Sequence, residues 1–284
     1  MGTPLSVRAL RAGFRVLGKA APGLAAVAAA RLFGSPPRRR TSDAERQALA
    51  RGRPGSVATN GGRIVTWTWG AGPVVLLAHG WGSRGARLRS FVEPLVASGR
   101  SVVAFDAPGH GDSSGRTSSL PQFALAIRAV ADAAGGIEAA VAHSLGCPSV
   151  AFAMTRGLSL TRAVFLAPPA HPGAYTETFA RTLAIPAPVL ARMKRRFEER
   201  FGLRWEELDL PRAAGNFQAG LLVIHDRDDA EVPFGNGEAI AAAWPQATLV
   251  ATEGLGHTRI VHDPAVVRRA VAFVTGRGAD ERPL

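Results

Sequence analysis

The stretch that most constrains the fold of this 284-residue chain is Val141-Ala142-His143-Ser144-Leu145-Gly146. An apolar run at residues 137–142 leads into it, and a helical pattern at 145–157 follows it. A serine between small residues at a strand-to-helix junction is typical of the sharp turn G-x-S-x-G, which exposes a nucleophilic serine. Ala142 stands where that pattern has its first glycine. Taken alone, the stretch also fits a serine that only caps a helix.

Short apolar runs alternate with longer helical patterns from residue 55 onward. Most runs lack two-residue alternation, which suits parallel strands covered on both faces. Residues 56–59 and 63–68 flank Asn60-Gly61-Gly62, a β-hairpin signal. Further strands are predicted at 73–78, 101–105, 137–142, 163–166, 221–224 and 247–251, and helices at 83–98, 120–133, 145–157, 237–244 and 264–275. A hairpin followed by β-α repeats predicts an α/β fold with a mostly parallel, doubly wound sheet of about eight strands.

One long segment interrupts this alternation between the predicted strands at 163–166 and 221–224. Its residues 175–183, 188–201 and 205–210 have the pattern of short helices rich in Arg and Glu. A structureless loop of that length is improbable in a compact domain, so we expect a helical cap inserted at about residues 168–215. Its apolar side chains, and the turn before them, are candidates for pocket walls or for the cap's own core: Ala167-Pro168-Pro169, Tyr175, Phe179, Met193 and Phe197.

The positive charge of the chain, +12 in all, lies mostly at the N-terminus. Residues 1–53 hold 11 Lys/Arg and 2 Asp/Glu, a balance of +9, whereas the remaining 231 residues hold 23 and 20, a balance of +3. A nearly neutral body does not favour nucleic acid as a partner. We therefore divide the chain into a basic amphipathic arm with its linker, residues 1–53, and a body, residues 54–284.

The arm has apolar residues at helical spacing, Val7, Leu10, Phe14 and Leu17, with basic residues between them. Three interpretations stay open: a helix lying on the body, a peripheral anchor on anionic lipid through residues 1–40, or an Arg-rich transit peptide. No apolar run reaches the roughly 18 residues of a spanning helix. We expect a cytoplasmic protein, which the anchor interpretation would place at the inner membrane.

Three loops after predicted strands hold candidates for catalysis beside Ser144, and the first of them supplies a candidate oxyanion donor. Acyl transfer needs backbone N–H donors aimed at the developing oxyanion. In a hydrolase with this elbow, one N–H comes from the residue after the nucleophile, here Leu145, and the other from the loop after the third strand. That loop reads Leu77-Ala78-His79-Gly80-Trp81-Gly82, and Trp81 is the candidate donor. We interpret the His79 side chain as a scaffold for the loop and not as the base.

The general base is predicted from Gly254-Leu255-Gly256-His257, which follows the last predicted strand. Flanking glycines free the loop to bring the His257 imidazole to the serine. A triad also needs a carboxylate that fixes the tautomer of the base. Asp226, Asp228 and Asp229 all follow the strand at 221–224, and the residues alone do not choose among them.

A glycine-rich turn reads Phe105-Asp106-Ala107-Pro108-Gly109-His110-Gly111-Asp112-Ser113. We predict that Asp106 and His110 hold this turn in shape and do not react. The single cysteine, Cys147, excludes an intramolecular disulfide. No Cys/His cluster has the spacing of metal ligands.

Together these motifs, from about Gly55 to Gly276, resemble the α/β-hydrolase superfamily. The chain is similar in particular to bacterial serine hydrolases with an H-G-W loop and a D-x-P-G-H-G-x-S turn. In that family the acid commonly sits four residues before a proline, so the resemblance assigns Asp229, which precedes Pro233 by four. The departures are Ala142 for glycine and Cys147 where a second glycine is common. We interpret Cys147 as a small core residue.

Superfamily members that are dehalogenases or epoxide hydrolases carry aspartate at the elbow, whereas this chain carries Ser144 there. The resemblance therefore implies an acyl-enzyme mechanism. We predict a carboxylic-ester hydrolase acting on a small or medium apolar acyl substrate, with no metal or cofactor. The triad would be Ser144, Asp229 and His257, with the N–H groups of Trp81 and Leu145 as oxyanion donors. Acyl transfer and C–C or amide hydrolysis stay open, as do two non-catalytic classes, a ligand receptor and a membrane-surface scaffold.

Overall fold

The computed structural model of the protein describes residues 5–276. Their strands are β1 (Arg53–Thr59), β2 (Gly62–Trp69), β3 (Val74–Ala78), β4 (Ser101–Phe105), β5 (Ala139–His143), β6 (Arg162–Leu166), β7 (Gly220–Asp226) and β8 (Ala247–Thr252). Their α-helices are α1 (Leu5–Ala20), α2 (Pro22–Phe33), α3 (Asp43–Ala50), α4 (Val92–Ala97), α5 (Leu120–Ala133), α6 (Gly146–Thr155), α7 (Ala174–Leu183), α8 (Ala187–Phe201), α9 (Leu210–Ala214), α10 (Gly235–Ala243), α11 (Gly256–Arg259) and α12 (Pro264–Thr275). Two 3-10 helices lie at Gly85–Phe91 and Trp205–Leu208.

The eight strands form one mixed sheet in the order β1-β2-β4-β3-β5-β6-β7-β8. β2 pairs antiparallel with both β1 and β4, and every other pair is parallel. The predicted α/β fold with a mostly parallel sheet is therefore confirmed. The predicted hairpin is β1–β2, and Gly62, with φ of 112°, has a backbone conformation that favours glycine.

The central strands are buried on both faces, which explains their unbroken apolar sequences. Every residue of β4 and of β5 is buried. In a parallel sheet the carboxyl ends of the strands share one edge, where ligands of open α/β sheets bind. The loops after β3, β5, β7 and β8 therefore lie at the same end of the sheet. They contain the candidate catalytic residues except Asp226, which is the last residue of β7.

Two predicted helices differ from the structure. The single helix expected at 83–98 is a 3-10 helix followed by α4, and the 3-10 helix is itself kinked at Leu88, which has a non-helical backbone (φ −93°, ψ 19°). The helix expected at 205–210 is a short 3-10 helix that ends before α9 begins.

The chain divides into two compact units. One combines the described residues up to Ser35 with His171–Asp209, and the other combines Pro36–Ala170 with the described residues from Leu210 onward. The first, called here the helical unit, contains α1, α2, α7 and α8. Its core joins the arm to the inserted helices: Phe14, Ala25, Ala26, Ala29, Ala180, Leu183, Ile185, Val189, Leu190 and Met193. None of the helices in residues 5–276 has both the length and the apolar character that crossing a membrane requires.

Candidate active site

Ser144 lies on a sharp turn between β5 and α6. Its φ is 51°, a left-handed backbone conformation that few residues other than glycine adopt. The turn is held by a hydrogen bond from the Ser144 N–H to the Leu166 carbonyl, 2.9 Å, and by one from the Cys147 N–H to the Ser144 carbonyl, 2.9 Å. Strained backbone conformations of this kind cluster at functional sites.

Small residues around Ser144 allow close approach of the neighbouring backbone. A Cβ added to Gly146 would overlap the Ala78 carbonyl oxygen at the end of β3. A Cβ added to Gly80 would lie 2.9 Å from the Cβ of Ser144, so the loop after β3 lies directly against the serine. Ala142, which stands in for the first glycine of the motif, is fully buried and pairs with Ala78. The turn therefore accommodates its methyl group.

Asp229 and His257 form a hydrogen-bonded pair. The distance between His257 Nδ1 and Asp229 Oδ2 is 2.8 Å. The other carboxylate oxygen accepts the N–H groups of Glu231, 2.9 Å, and Val232, 2.8 Å. An ionised carboxylate can only accept, so Nδ1 of His257 donates in this hydrogen bond, which leaves Nε2 as the ring nitrogen available to take a proton. This is the tautomer that a general base requires.

Asp229 is held in its ionised form by several donors. Burial opposes ionisation, but hydrogen bonds from the side chains of His225 and His257 and from the N–H of Val232 lower the pKa of Asp229 well below its usual range. His225 is fully buried, and its Nε2 lies 2.9 Å from the Val232 carbonyl and 3.4 Å from Asp229 Oδ2. His225 was not predicted as a site residue from the sequence, because it lies in β7 and no motif marks it.

Asp226 and Asp228 contact the backbone of the loop that carries His257. Asp226 Oδ2 accepts from the Thr252 hydroxyl at 2.7 Å and from the Leu255 N–H at 3.0 Å. Asp228 Oδ2 accepts the Gly254 N–H at 2.9 Å. Of the three candidate acids, the structure thus brings Asp229 to the imidazole and uses the other two to hold the loop.

His143, the residue before Ser144, reaches the backbone of the predicted base. Its Nε2 lies 2.8 Å from the His257 carbonyl oxygen, and the two ring centroids are 4.8 Å apart. A carbonyl only accepts, so His143 donates from Nε2. Burial lowers the pKa of His143 to about 3, which keeps the ring neutral. The sequence reasoning assigned His143 no role, although its place beside the serine was visible.

The loop after β3 is positioned by two neutral histidines. His79 Nδ1 lies 2.7 Å from the Gly80 carbonyl oxygen, while its Nε2 accepts the Ala107 N–H at 3.0 Å. His110 Nε2 accepts the Gly82 N–H at 3.1 Å. Burial lowers the pKa of His79 to about 4 and that of His110 to about 3. Both rings therefore accept a backbone N–H through an unprotonated Nε2.

The hydrogen bond from His79 also orients the N–H of Trp81. The Gly80–Trp81 peptide is trans, so its carbonyl and its N–H point in opposite directions. Fixing the Gly80 carbonyl on His79 therefore turns the Trp81 N–H to the other side of the loop. Within residues 5–276, no protein acceptor is found for the N–H groups of Trp81 or Leu145. Both are free to bind an oxyanion.

Asp106 holds the glycine-rich turn after β4. Its two carboxylate oxygens accept the N–H groups of Gly85 and Asp112, each at 2.8 Å. A Cβ on Gly111 would collide with this carboxylate, which explains the glycine. Burial raises the pKa of Asp106. These contacts agree with the structural role expected of Asp106 and of His110.

Three of the four candidate pocket side chains pack within the helical unit. Phe179 packs edge-on against Phe33 with ring centroids 5.2 Å apart, and Phe197 stacks on Trp205 at 4.1 Å. Met193 is buried in the core of the same unit. Tyr175 alone of the four is exposed. Of the two interpretations, pocket wall or core of the cap, the second therefore accounts for Phe179, Phe197 and Met193.

Cys147 and the acidic side chains offer no evident metal ligands. Cys147 is fully buried with its Sγ 3.7 Å from the Leu166 carbonyl oxygen, and burial raises the pKa of its thiol. Across the described part of the chain, no group of three or more His, Cys, Asp or Glu side chains is arranged to hold a metal ion.

Known proteins with the same architecture are numerous. The profile of the alpha/beta hydrolase family matches residues 74–270. An esterase of Pyrococcus furiosus superposes with a TM-score of 0.65 at 18% identity, covering 85% of this chain and 98% of its own. An esterase from Rhodococcus sp. ECU1013 gives a TM-score of 0.58 at 19% identity, covering 80% and 100%.

A serine hydrolase from the polyaromatic hydrocarbon-degrading bacterium Cycloclasticus zankles gives a TM-score of 0.62 at 17% identity, covering 81% of this chain and 100% of its own. At these identities the likeness shows a shared fold. No curated protein matches the chain significantly.

Proposed function

Because the chain belongs to the α/β-hydrolase family, we propose that it is a serine hydrolase that cleaves carboxylic esters through an acyl-enzyme. The observation that carries the proposal is the 2.8 Å contact between Asp229 and His257. It lies at the carboxyl ends of the parallel strands, where Ser144 occupies its strained turn. This arrangement supplies a nucleophile, a base in the correct tautomer and an ionised acid. Solved structures with the same fold include two named as esterases, which adds support to the proposal.

The first half of the cycle forms the acyl-enzyme. His257 Nε2 takes the proton of Ser144 as its Oγ attacks the acyl carbonyl carbon. Asp229 stabilises the imidazolium that results, while the N–H groups of Trp81 and Leu145 bind the oxyanion. The imidazolium then gives its proton to the leaving alcohol, and the C–O bond of the ester breaks.

The second half regenerates the enzyme. His257 removes a proton from water, which attacks the acyl carbonyl, and a second oxyanion occupies the same two N–H groups. Collapse of this intermediate returns the proton to Ser144 and releases the acid. Each oxyanion donor is expected to contribute roughly 3–4 kcal/mol to the stabilisation of the transition state.

Labelling with a fluorophosphonate tests the nucleophile directly. We expect one labelled peptide, with the label on Ser144, and we expect Ser144→Ala to lose both the label and the hydrolysis of p-nitrophenyl acetate and butyrate. Ser98→Ala is the matched control, because Ser98 only donates to the Leu95 carbonyl at a helix end. Label on another serine, or full esterase activity in Ser144→Ala, would contradict the proposal.

The same assay separates hydrolysis from the other reactions open to this triad. An added primary alcohol that diverts most of the acyl group into a new ester would favour an acyltransferase. Labelling at Ser144 without turnover of esters, but with turnover of amides or of β-diketones, would favour an amidase or a C–C hydrolase. Stoichiometric ligand binding without labelling would favour a receptor.

The acyl preference belongs to the same proposal. We infer substrates with small or medium apolar acyl groups, since small-molecule binding sites in proteins are lined mainly by apolar side chains. Comparing kcat/KM for p-nitrophenyl acetate, butyrate, octanoate and palmitate tests this, and a preference for palmitate would contradict it.

A further inference from the structure

The outward faces of α1 and α2 carry an unusual concentration of exposed apolar side chains. Eight large apolar residues are exposed among the described residues, and six of them lie in these two helices: Leu5, Leu10, Val16, Leu24, Val27 and Leu32. Leu5 is 82% exposed, Val16 70% and Leu24 65%. Single exposed apolar residues need no explanation, but a concentration of them marks an interaction surface.

Helix α2 exposes three large apolar side chains, although its last residue, Phe33, packs against the core of the helical unit. Its buried residues are the small Ala25, Ala26 and Ala29, packed in the core of the helical unit. The larger Leu24, Val27 and Leu32 follow the i, i+3, i+8 spacing of one helix face and point to solvent. Folding alone would favour the larger side chains inside, because burial of Leu or Val stabilises more than burial of Ala. The exposed apolar stripe is therefore suited to burial in an apolar environment that the folded chain itself does not provide.

The same two helices are strongly cationic. Arg8, Arg15 and Lys19, spaced by seven and four residues, form a stripe on α1 beside the exposed Leu5 and Val16. Arg31 lies within the apolar stripe of α2. Residues 5–40 contain eight Lys/Arg and no Asp/Glu, and none of the four basic residues of α1 forms an ion pair with any residue that the structure describes. The charge is available to an external partner.

We propose that the outward face of α1 and α2 is a docking surface for an anionic lipid bilayer. A helix with large apolar residues beside a stripe of Lys and Arg binds in the plane of a membrane, with its apolar side chains in the acyl boundary and its cations on the headgroups. Two different signals, apolar insertion and charge attraction, act together on one face.

Charge argues against the other occupants. A symmetric second copy would place two cationic faces against each other with no acidic residue in residues 5–40 to offset them, which is unfavourable. Nucleic acid would use the positive charge but would leave the exposed Leu and Val stripe without a partner. A lipid surface with anionic headgroups satisfies both features.

Co-sedimentation of the full chain with phosphatidylcholine vesicles, with and without phosphatidylglycerol, tests the proposal. We expect partition onto the anionic vesicles that weakens as salt is raised, and little onto the neutral ones. Two variants remove one signal each: Arg8→Gln/Arg11→Gln/Arg15→Gln/Lys19→Gln, and Leu24→Ser/Val27→Ser/Leu32→Ser. Each is expected to lower the partition coefficient at least about 10-fold.

The chain offers matched controls in its other unit. Leu125→Ser changes another exposed leucine, which lies on α5, and Arg63→Gln/Arg116→Gln/Arg268→Gln removes exposed charge elsewhere. Both controls are expected to bind like the parent. The changed arm residues are mostly solvent-exposed, and circular dichroism with a thermal melt checks that each variant folds.

Three results would overturn the proposal. These are absence of binding to anionic vesicles, equal binding by the arm variants and the parent, or equal losses in arm variants and controls. A shift from dimer to monomer in the Leu24→Ser/Val27→Ser/Leu32→Ser variant, without vesicle binding by the parent, would assign the face to a second copy instead.

Discussion

The side chain of His143 donates from Nε2 to the backbone carbonyl of His257 across 2.8 Å. The residue beside the predicted nucleophile thus anchors the main chain of the predicted base. His257 lies on α11, a single helical turn of four residues, which has little packing of its own to fix it. The hydrogen bond joins the turn after β5 to the loop after β8. It therefore holds the backbone of His257 in place relative to the residue next to Ser144.

Replacing His143 by leucine is expected to lower kcat about 10- to 100-fold while KM for a p-nitrophenyl ester changes little. The physical reason is that a displacement of about 1 Å between reacting groups costs on the order of 10²-fold in rate. His143→Gln, which keeps an N–H donor, is expected to recover part of the loss. A rise in KM at unchanged kcat would assign His143 to substrate binding, and unchanged kinetics would leave it a packing role only.

Asp229→Asn is expected to lower kcat by about 10⁴-fold, because an amide in place of the carboxylate no longer fixes the base tautomer or stabilises the imidazolium. Asp228→Asn is the matched control, since Asp228 contacts the Gly254 N–H and not the imidazole. We expect the control to retain activity within about 10-fold. Steady-state kinetics of the two variants decide between them, and an inactive Asp228→Asn beside an active Asp229→Asn would contradict the assignment.

His79→Leu removes the donor that fixes the Gly80 carbonyl, so the Gly80–Trp81 peptide is free to rotate. We expect kcat to fall about 10²- to 10³-fold, the loss associated with one oxyanion donor. A trifluoromethyl ketone, which forms a tetrahedral adduct with the serine, should bind more weakly by a similar factor. A product acid lacks the developing oxyanion, and its affinity should stay nearly constant. Parallel losses for both ligands would indicate general collapse of the site.

Much of the fold could be predicted from local sequence. β4 lies at the predicted residues 101–105, and α5 and α12 at 120–133 and 264–275, because buried strands and amphipathic helices leave distinct periodic patterns. The sequence pattern predicts one helix over 83–98, although Pro94 favours a helix start near Val92, and the non-helical Leu88 before it carries no such signal. Boundaries of this kind depend on tertiary contacts that a local pattern does not contain.

The candidate site, like the fold, could be predicted only where a local pattern marks the residue. Ser144 and His257 stand in loops whose glycines and order along the chain indicate chemistry. His143 and His225 act through contacts between distant segments, with 114 residues separating His143 from His257, so no local pattern could pair them. The choice of Asp229 rested on a family resemblance, and only the three-dimensional arrangement separates its contacts from those of Asp226.

Gly146→Ala is expected to destabilise the protein, because the new methyl group would overlap the Ala78 carbonyl oxygen in β3. Backbone cannot move aside cheaply, so we expect a loss of about 2 kcal/mol or more in the free energy of unfolding, with loss of activity. Ala142→Gly, which restores the family motif, should cost only about 1 kcal/mol and keep activity. Urea denaturation measures both, and a Gly146→Ala variant as stable as the parent would contradict the close approach.

Three of the buried histidines of the site, His79, His110 and His143, predict how stability depends on pH. Burial lowers the pKa of His79 to about 4 and those of His110 and His143 to about 3, from an ordinary value of 6.5. At pH values well above 6.5 the three rings are neutral in both the folded and the unfolded chain, so they add no pH dependence. Between pH 6.5 and about 4 the unfolded chain binds their protons and the folded chain does not, so stability falls as the pH falls.

At pH 5 this difference amounts to about three protons, and the free energy of unfolding should therefore fall by roughly 4 kcal/mol per pH unit from these groups. Asp229 adds to the loss at lower pH, because its depressed pKa stabilises the folded chain only while the carboxylate is ionised in it. Urea denaturation at several pH values measures the slope. His110→Asn should remove about one of these three protons and so reduce the slope by about 1.4 kcal/mol per pH unit. A slope unaffected by this change would show that His110 is protonated in the folded protein.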